Sequence, residues 1–117
     1  NLCKIELMEI YKDSEITVHK LSELRELDKK IQIIDVRDDM ERNHASIKGT
    51  IHMKLEEIAE RHKELNKEKN IFVMCHHGTR SQSVVKWLKS QGYNYCVNVL
   101  GGIDAWAALI DRDIRRY

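Results

Sequence analysis

The chain contains no proline, a single phenylalanine and five glycines among its 117 residues. Without proline-rich or glycine-rich stretches, no segment of the sequence has the composition of a linker between domains. No apolar run approaches the roughly 20 residues that a membrane-spanning helix needs, and no secretory signal pattern is present. These absences favour one globular domain and argue against a membrane partner.

An excess of charge of one sign is also missing. Lysine and arginine total 20 against 19 acidic residues, for a net charge of +1. This balance argues against the strongly basic surface that binds nucleic acid or anionic membranes. The three cysteines are odd in number and irregularly spaced, so they predict neither a disulfide framework nor a paired C-x-x-C metal site. We therefore predict a cytoplasmic, reducing location.

Apolar residues recur in an alternating series of strand and helix patterns. Alternation of this kind predicts an α/β fold with a parallel sheet covered by helices on both faces. We expect residues 15–117 to form this single domain and residues 1–14 an N-terminal extension. The chain begins without an initiator methionine, which suggests a processed protein or a fragment. Strands are predicted at 15–18, 31–36, 70–74 and 96–100, a brief extended piece within 47–53, and helices at 19–30, 55–68, 81–92 and 103–110.

The segment VMCHHGTRSQSVVKWLKSQG places Cys75 directly after a predicted strand and shortly before a helix. In parallel sheets, functional loops lie at this edge, and helix amides and nearby cations stabilise a thiolate. Gly78 permits a tight turn, Arg80 adds a positive charge, and Ser81 is a candidate helix cap. No acidic residue lies between positions 75 and 81. The pattern predicts that Cys75 is a nucleophile in an anion-holding loop of His76, His77, Gly78, Thr79, Arg80 and Ser81.

Other interpretations of this segment are weaker. An isolated cysteine at a strand end is most often a buried structural thiol, but the glycine, arginine and helix start that follow favour a nucleophile. A metal site built from Cys75, His76 and His77 is disfavoured, because adjacent side chains do not easily converge on one tetrahedral ion and no fourth ligand is obvious. A serine hydrolase is disfavoured because Ser81 lacks the G-x-S-x-G setting. We predict no metal.

Three motifs carry a resemblance to a known family. CHHGTRS, the upstream IIDVRDDME and the downstream VNVLGGIDAW resemble the rhodanese (sulfurtransferase) domains, in the family's order and spacing, from about Ile16 to Trp106. The resemblance implies a three-layer fold with a five-stranded parallel sheet flanked by helices. It also implies that Cys75 takes a sulfane sulfur from a small donor such as thiosulfate, or from a persulfide protein. Backbone amides of residues 76–81 would cradle the persulfide until a thiophilic acceptor removes the sulfur. No cofactor is implied.

The spacing from Cys75 to Arg80 separates the possible relatives. The loop is C-x4-R, whereas phosphatases of similar topology use C-x5-R, which opens a pocket large enough for phosphate. The shorter loop favours sulfur transfer over a phosphatase or an arsenate reductase. A non-catalytic interaction module of the same fold is the other alternative, and such modules normally lack the cysteine.

Supporting residues are predicted upstream and downstream of the loop. Asp35 and Arg37 match the family's DVR motif, and we expect them to brace the active loop and the segment after the strand by charge-assisted hydrogen bonds. The alternative is a surface pair at a strand end. Trp87 is expected in the core, and Cys96, on a strand, is expected to be a buried and inert thiol.

The sequence also departs from the family pattern between residues 42 and 55. Ser46 replaces a histidine, Lys48 and Lys54 replace prolines, and Arg42 stands where an aromatic residue is common. These changes argue against substrate contact by this segment. The ending GGIDAWAALIDRDIRRY resembles rhodanese domains fused behind E1-like adenylyltransferases of molybdopterin or thiamine synthesis, which would make a ubiquitin-like sulfur-carrier protein the acceptor.

Overall fold

Residues 10–117, which the computed structural model describes, contain five strands. These are β1 (Glu15–Ile16), β2 (Gln32–Asp35), β3 (Ile51–His52), β4 (Ile71–Met74) and β5 (Cys96–Val99). They form one sheet in the order β1-β5-β4-β2-β3, and every neighbouring pair is parallel. The predicted five-stranded parallel sheet is confirmed. Because Asp35 pairs with Met74, and Val73 with Asn98, the carboxyl ends of the three central strands meet at one edge.

Five α-helices within residues 10–117 cover the sheet. They are α1 (Val18–Leu27), α2 (Asp39–His44), α3 (Ile58–Arg61), α4 (Thr79–Ser90) and α5 (Gly102–Leu109). None of the helices within residues 10–117 is long and apolar enough to cross a membrane.

Strand β4 shows how the two faces of the sheet are filled. All four of its residues are buried, and successive side chains point to opposite faces. Ile71 and Val73 pack in a cluster with Leu88 of α4, whereas Phe72 and Met74 pack in a second cluster with Trp106 of α5. The sheet is therefore the middle of three layers, as the alternating pattern predicts.

Three helices, α1, α4 and α5, begin one or two residues earlier than the sequence pattern indicates. Thr17 caps α1 by accepting a hydrogen bond from the amide of Lys20 at 3.2 Å, so the strand predicted at 15–18 shortens to two residues. Gly78, at a φ of +109°, precedes the first residue of α4. The prediction that Ser81 caps this helix is wrong, because Ser81 lies inside the first turn. Its hydroxyl lies 3.3 Å from the Cys75 sulfur instead.

The helix predicted at 55–68 is broken into three short turns. A 3₁₀ turn (Leu55–Glu57), helix α3 and a second 3₁₀ turn (His62–Glu64) replace it. Only Ile58 and Leu65 of this segment are buried, so its apolar stripe is too narrow to hold a long helix against the sheet.

Residues 10–14 contact the sheet. The Asn70 side chain exchanges two hydrogen bonds of 2.8 Å with the backbone of Tyr11, and the carbonyl of Ser14 accepts from the amide of Asn98 at 2.8 Å. The boundary between extension and domain at residue 15 stays a prediction, and Cys3 lies outside the described residues.

Candidate active site

Cys75 occupies the carboxyl edge of the sheet, between the end of β4 and the start of α4. Its side chain is buried, with a relative exposure of 1%. The amides of Gly78 and Ser81 donate to its Sγ atom at 3.1 and 3.4 Å, and the Ser81 hydroxyl lies 3.3 Å from it. The two amides point their N–H groups at the sulfur, an arrangement that holds an anion.

The hydrogen bonds set the ionisation of the thiol. Burial is the largest single influence and raises the pKa of Cys75, because it penalises the charged form. The Ser81 hydroxyl and the amides of Ser81, Gly78 and Arg80 oppose burial, and together they bring the pKa below its ordinary value. A lowered pKa is the property that distinguishes a reactive cysteine from a structural one.

Asn98 positions the serine that contacts the sulfur. The Ser81 hydroxyl lies 2.5 Å from the Asn98 side-chain oxygen and 3.1 Å from the Gly78 carbonyl. The Asn98 amide nitrogen donates to the same carbonyl at 3.2 Å. Sequence reasoning missed Asn98, although a buried polar residue within the apolar strand CVNV was a usable signal.

We expect Ser81→Ala to raise the pKa of Cys75 and to lower the free energy of unfolding by about 1–3 kcal/mol, since Asn98 loses a buried partner. The ultraviolet absorbance of the thiolate across a pH titration, relative to a Cys75→Ser chain, measures the first effect. Ser83→Ala is the control, because Ser83 is exposed on the same helix. An unchanged thiolate titration in Ser81→Ala would show that the hydroxyl does not stabilise the anion.

Arg80 is held by an acidic residue that the loop sequence does not reveal. Its guanidinium donates to both carboxylate oxygens of Glu41, on α2, at 2.6 and 2.8 Å. The Tyr117 hydroxyl donates to Glu41 at 2.8 Å as well. Arg80 is therefore paired with Glu41, which partly offsets its positive charge and fixes the start of α4 against α2. That the Arg80 charge stabilises an anion in the loop stays a prediction.

The Glu41 pair predicts a defined pH dependence of stability. The hydrogen bonds from Arg80 hold the pKa of Glu41 at about 2, below its ordinary value of 4.5. Because the folded-state pKa is lowered, this stabilisation is complete above pH 4.5 and is lost as the pH falls toward 2. Chemical denaturation across that range should show a shallower acid-side loss of stability in Glu41→Gln than in the wild type. Equal slopes in the two proteins would contradict the pairing.

Asp35 and Arg37 form a fully buried ion pair, not a surface pair. Arg37 donates to the two Asp35 oxygens at 2.9 and 2.7 Å, and both side chains are 0% exposed. It also donates to the carbonyls of Glu41 and Ala45 at 3.1 and 2.7 Å, so it ties β2 to the middle and the C-terminal end of α2. Its link to the active loop is indirect, through the hydroxyl of Tyr117 at 2.7 Å.

Comparison with known proteins is decisive for the family. The profile of the rhodanese-like domain matches residues 17–109. The chain belongs to the rhodanese-like domain family. A rhodanese-like domain protein from Staphylococcus aureus has a crystal structure that superposes with a TM-score of 0.76 and 30% identity, over 90% of this chain and 99% of that one.

Two curated relatives of this rhodanese-like domain come from Bacillus subtilis. The putative sulfurtransferase YtwF is 38% identical over 92 residues, which cover 79% of this chain and 88% of YtwF. The putative sulfur carrier protein YrkF is 34% identical over 92 residues, again 79% of this chain but 50% of YrkF. The chain thus spans about half the length of YrkF.

The two histidines of the rhodanese-like loop lie at its outer side. The His76 ring stacks on the Tyr117 ring, with centroids 3.8 Å apart and planes 8° apart. The His77 ring also lies 3.8 Å from the His76 ring, but its plane is tilted by 35°. Burial is the main cause that lowers the pKa of His76. Neither ring has a hydrogen bond to the Cys75 sulfur within the described residues.

Cys96 and Trp87 test two further predictions. Cys96 is buried without a disulfide, and burial raises the pKa of its thiol to about 12, as expected of an inert residue. The prediction that Trp87 is a core residue is wrong: it is 37% exposed and lines a shallow apolar groove of about 270 Å³ with Leu55 and Ile58. The short helix α3 leaves this side of α4 uncovered.

Proposed function

We propose that this rhodanese-like domain is a sulfurtransferase in which Cys75 carries a sulfane sulfur. The observation that supports this most directly is the pair of backbone amides, of Gly78 and Ser81, that donate to the Cys75 sulfur. They stabilise an anion at the sulfur, as a thiolate before transfer and as a persulfide after it. Its similarity to YtwF, named a putative sulfurtransferase, supports the same activity.

The reaction with thiosulfate proceeds in two displacements. The Cys75 thiolate attacks the sulfane sulfur, the sulfur–sulfur bond of thiosulfate breaks, and sulfite leaves with the electron pair. Cys75 then holds a persulfide anion. A nucleophilic acceptor attacks the terminal sulfur and regenerates the thiolate. No cofactor or metal takes part in either proposed step.

The identities of the sulfur donor and of the acceptor are separate, more specific proposals. We propose thiosulfate or a persulfide protein as the donor, in a reducing compartment that keeps Cys75 free. A sulfur-carrier protein is the proposed acceptor, and similarity to half of YrkF, named a putative sulfur carrier protein, is in keeping with it. The fusion to an E1-like adenylyltransferase suggested by the tail remains a prediction. So does the assignment of residues 15–117 as one domain.

Cyanide and thiosulfate together test the proposed activity. We expect the wild type to form thiocyanate catalytically, Cys75→Ser to have no activity above background, and the control Cys96→Ser to retain full activity. Hydrolysis of an aryl phosphate in parallel tests the phosphatase alternative, for which the C-x4-R loop is too short. Absence of thiocyanate with several donors and acceptors would favour the non-catalytic interaction module instead.

A further inference from the structure

Helix α5 brings a carboxylate to the two histidines of the loop. The carbonyls of Cys75 and His76 accept hydrogen bonds from the amides of Ile103 and Asp104 at 2.9 and 3.1 Å. These bonds fix the first turn of α5 against the loop. Asp104 is far from the histidines in the sequence, so a metal site that includes it has no recognisable ligand spacing there.

We propose that His76, His77 and Asp104 bind a divalent transition-metal ion, for which Zn²⁺ is the probe. Each residue offers one ligand atom, and the three atoms all lie within 4.8 Å of one another. The adjacent His76 and His77 therefore bring ligand atoms together, contrary to the expectation from the sequence, and Asp104 takes the place of Cys75 in the ligand set. Two imidazole nitrogens and a carboxylate oxygen are a ligand set that suits zinc, with a fourth position left for water or another ligand. The proposal concerns a site separate from the sulfur atom of Cys75.

Small side-chain rotations bring the three ligand atoms to the spacing that a zinc ion needs. Ligand atoms on one tetrahedral zinc ion lie about 3.3 Å apart, since each sits at about 2.0–2.1 Å from the metal. The His77 Nε2 atom is 3.9 Å from an Asp104 oxygen. His77 is 63% exposed, so its ring turns at little cost. Two of the three ligands therefore start close to their final spacing.

His76 supplies the observation that points to a ligand independently of the cluster. Its Nε2 atom is buried and has no hydrogen-bond partner among the described residues. A buried polar atom without a partner costs free energy that a metal bond would offset. The stacked Tyr117 ring holds the imidazole in place, so this ligand is ordered before metal arrives.

Arg116 competes with the metal for Asp104. Its guanidinium donates to both Asp104 oxygens at 3.0 and 3.1 Å. The Arg116 side chain is 59% exposed, and an ion pair at such a position contributes little stability. A divalent ion therefore displaces it readily, and removing Arg116 should strengthen metal binding whereas removing a ligand weakens it.

Isothermal titration with Zn²⁺ tests the site in a Cys3→Ser/Cys75→Ser chain, which lacks the thiols that would bind zinc themselves. Because this chain cannot carry sulfur, the outcome is independent of the proposed sulfur transfer. We expect one ion per chain, a loss of affinity of about tenfold or more in His77→Ala and in Asp104→Asn, and a gain of roughly two- to five-fold in Arg116→Met.

His19→Ala is the matched control, because His19 is exposed on α1, remote in sequence from the loop. Its zinc affinity should equal that of the parent chain, and thermal melting confirms that each variant is folded. Absence of zinc binding in the parent chain would overturn the proposal. So would binding that His77→Ala and Asp104→Asn leave unchanged, because the ion would then lie elsewhere.

Discussion

Arg37→Met is expected to lower the free energy of unfolding by about 3–5 kcal/mol, the cost of removing the main partner of a buried carboxylate. Asp35 is fully buried and accepts three hydrogen bonds from Arg37, two from the guanidinium and one from the backbone amide, and a fourth from Arg42 at 3.1 Å. Burial alone would raise the pKa of Asp35, and the charge and hydrogen bonds of Arg37 bring it below its ordinary value. The substitution also removes the hydrogen bonds to the carbonyls of Glu41 and Ala45, which weakens the attachment of α2 to β2, although Arg42 of α2 still donates to Asp35.

Arg116→Met is the matched control for this experiment. Arg116 makes the same two-bond contact with a carboxylate, that of Asp104, but its side chain is largely exposed. We expect a loss of no more than about 1 kcal/mol. Urea denaturation of both variants gives the comparison. Similar losses in the two would mean that burial of the Asp35–Arg37 pair does not govern its contribution.

Gly102→Ala is expected to cost about 2–5 kcal/mol and to disturb the cysteine loop. Gly102 has a φ of +56°, and an added Cβ would lie 2.5 Å from the carbonyl oxygen of His76 and closer still to that of Cys75. Those two carbonyls accept the bonds that dock α5 on the loop. Relieving the clash must move either the helix or the loop, and we expect sulfur loading of Cys75 to fall with stability.

Gly92→Ala is the control that measures the backbone strain of a positive φ without the steric clash present at Gly102. Gly92 also has a positive φ, of +93°, but its added Cβ would meet only the end of the flexible Lys67 side chain, at 3.5 Å. This control should lose about 1–2 kcal/mol from the backbone conformation alone, with sulfur loading unchanged. Equal effects at the two glycines would show that the close approach of α5 to the loop is unimportant.

Local patterns in the sequence were sufficient for the sheet and for the position of the cysteine. The apolar strand IFVM is buried on both faces, as in other parallel sheets, and the residue after such a strand lies at the functional edge. The glycine at 78 and the polar turn after it indicate where the chain changes from strand to helix. Predictions of this kind depend only on neighbours along the chain.

The electrostatic partners could not be predicted, because they come from distant elements. Glu41 reaches Arg80 only when α2 packs beside α4, and Tyr117 joins both Glu41 and His76 from the end of the chain. A charge count over residues 75–81 therefore leaves out the Glu41 carboxylate that pairs with Arg80. The burial of the Asp35–Arg37 pair could not be predicted for the same reason, since burial depends on the whole fold.

The prediction of one helix at 55–68 is wrong for a different reason. Apolar residues at 55, 58, 59 and 65 fit a helical period, yet Leu55 is exposed in the structure. Periodicity reports which residues could share a face, and it does not report whether a second layer is present to cover that face. Here the face remains open, and the exposed Trp87 on α4 is the consequence.

The central claim is that Cys75 carries a sulfur atom. Intact mass of the protein after incubation with thiosulfate, or with a persulfide donor, tests it most directly once excess donor is removed. We predict an adduct of one sulfur atom on the wild type and on Cys96→Ser, which cyanide removes, and none on Cys75→Ser. A wild type that stays unmodified with both donors, or an adduct that persists in Cys75→Ser, would contradict the claim.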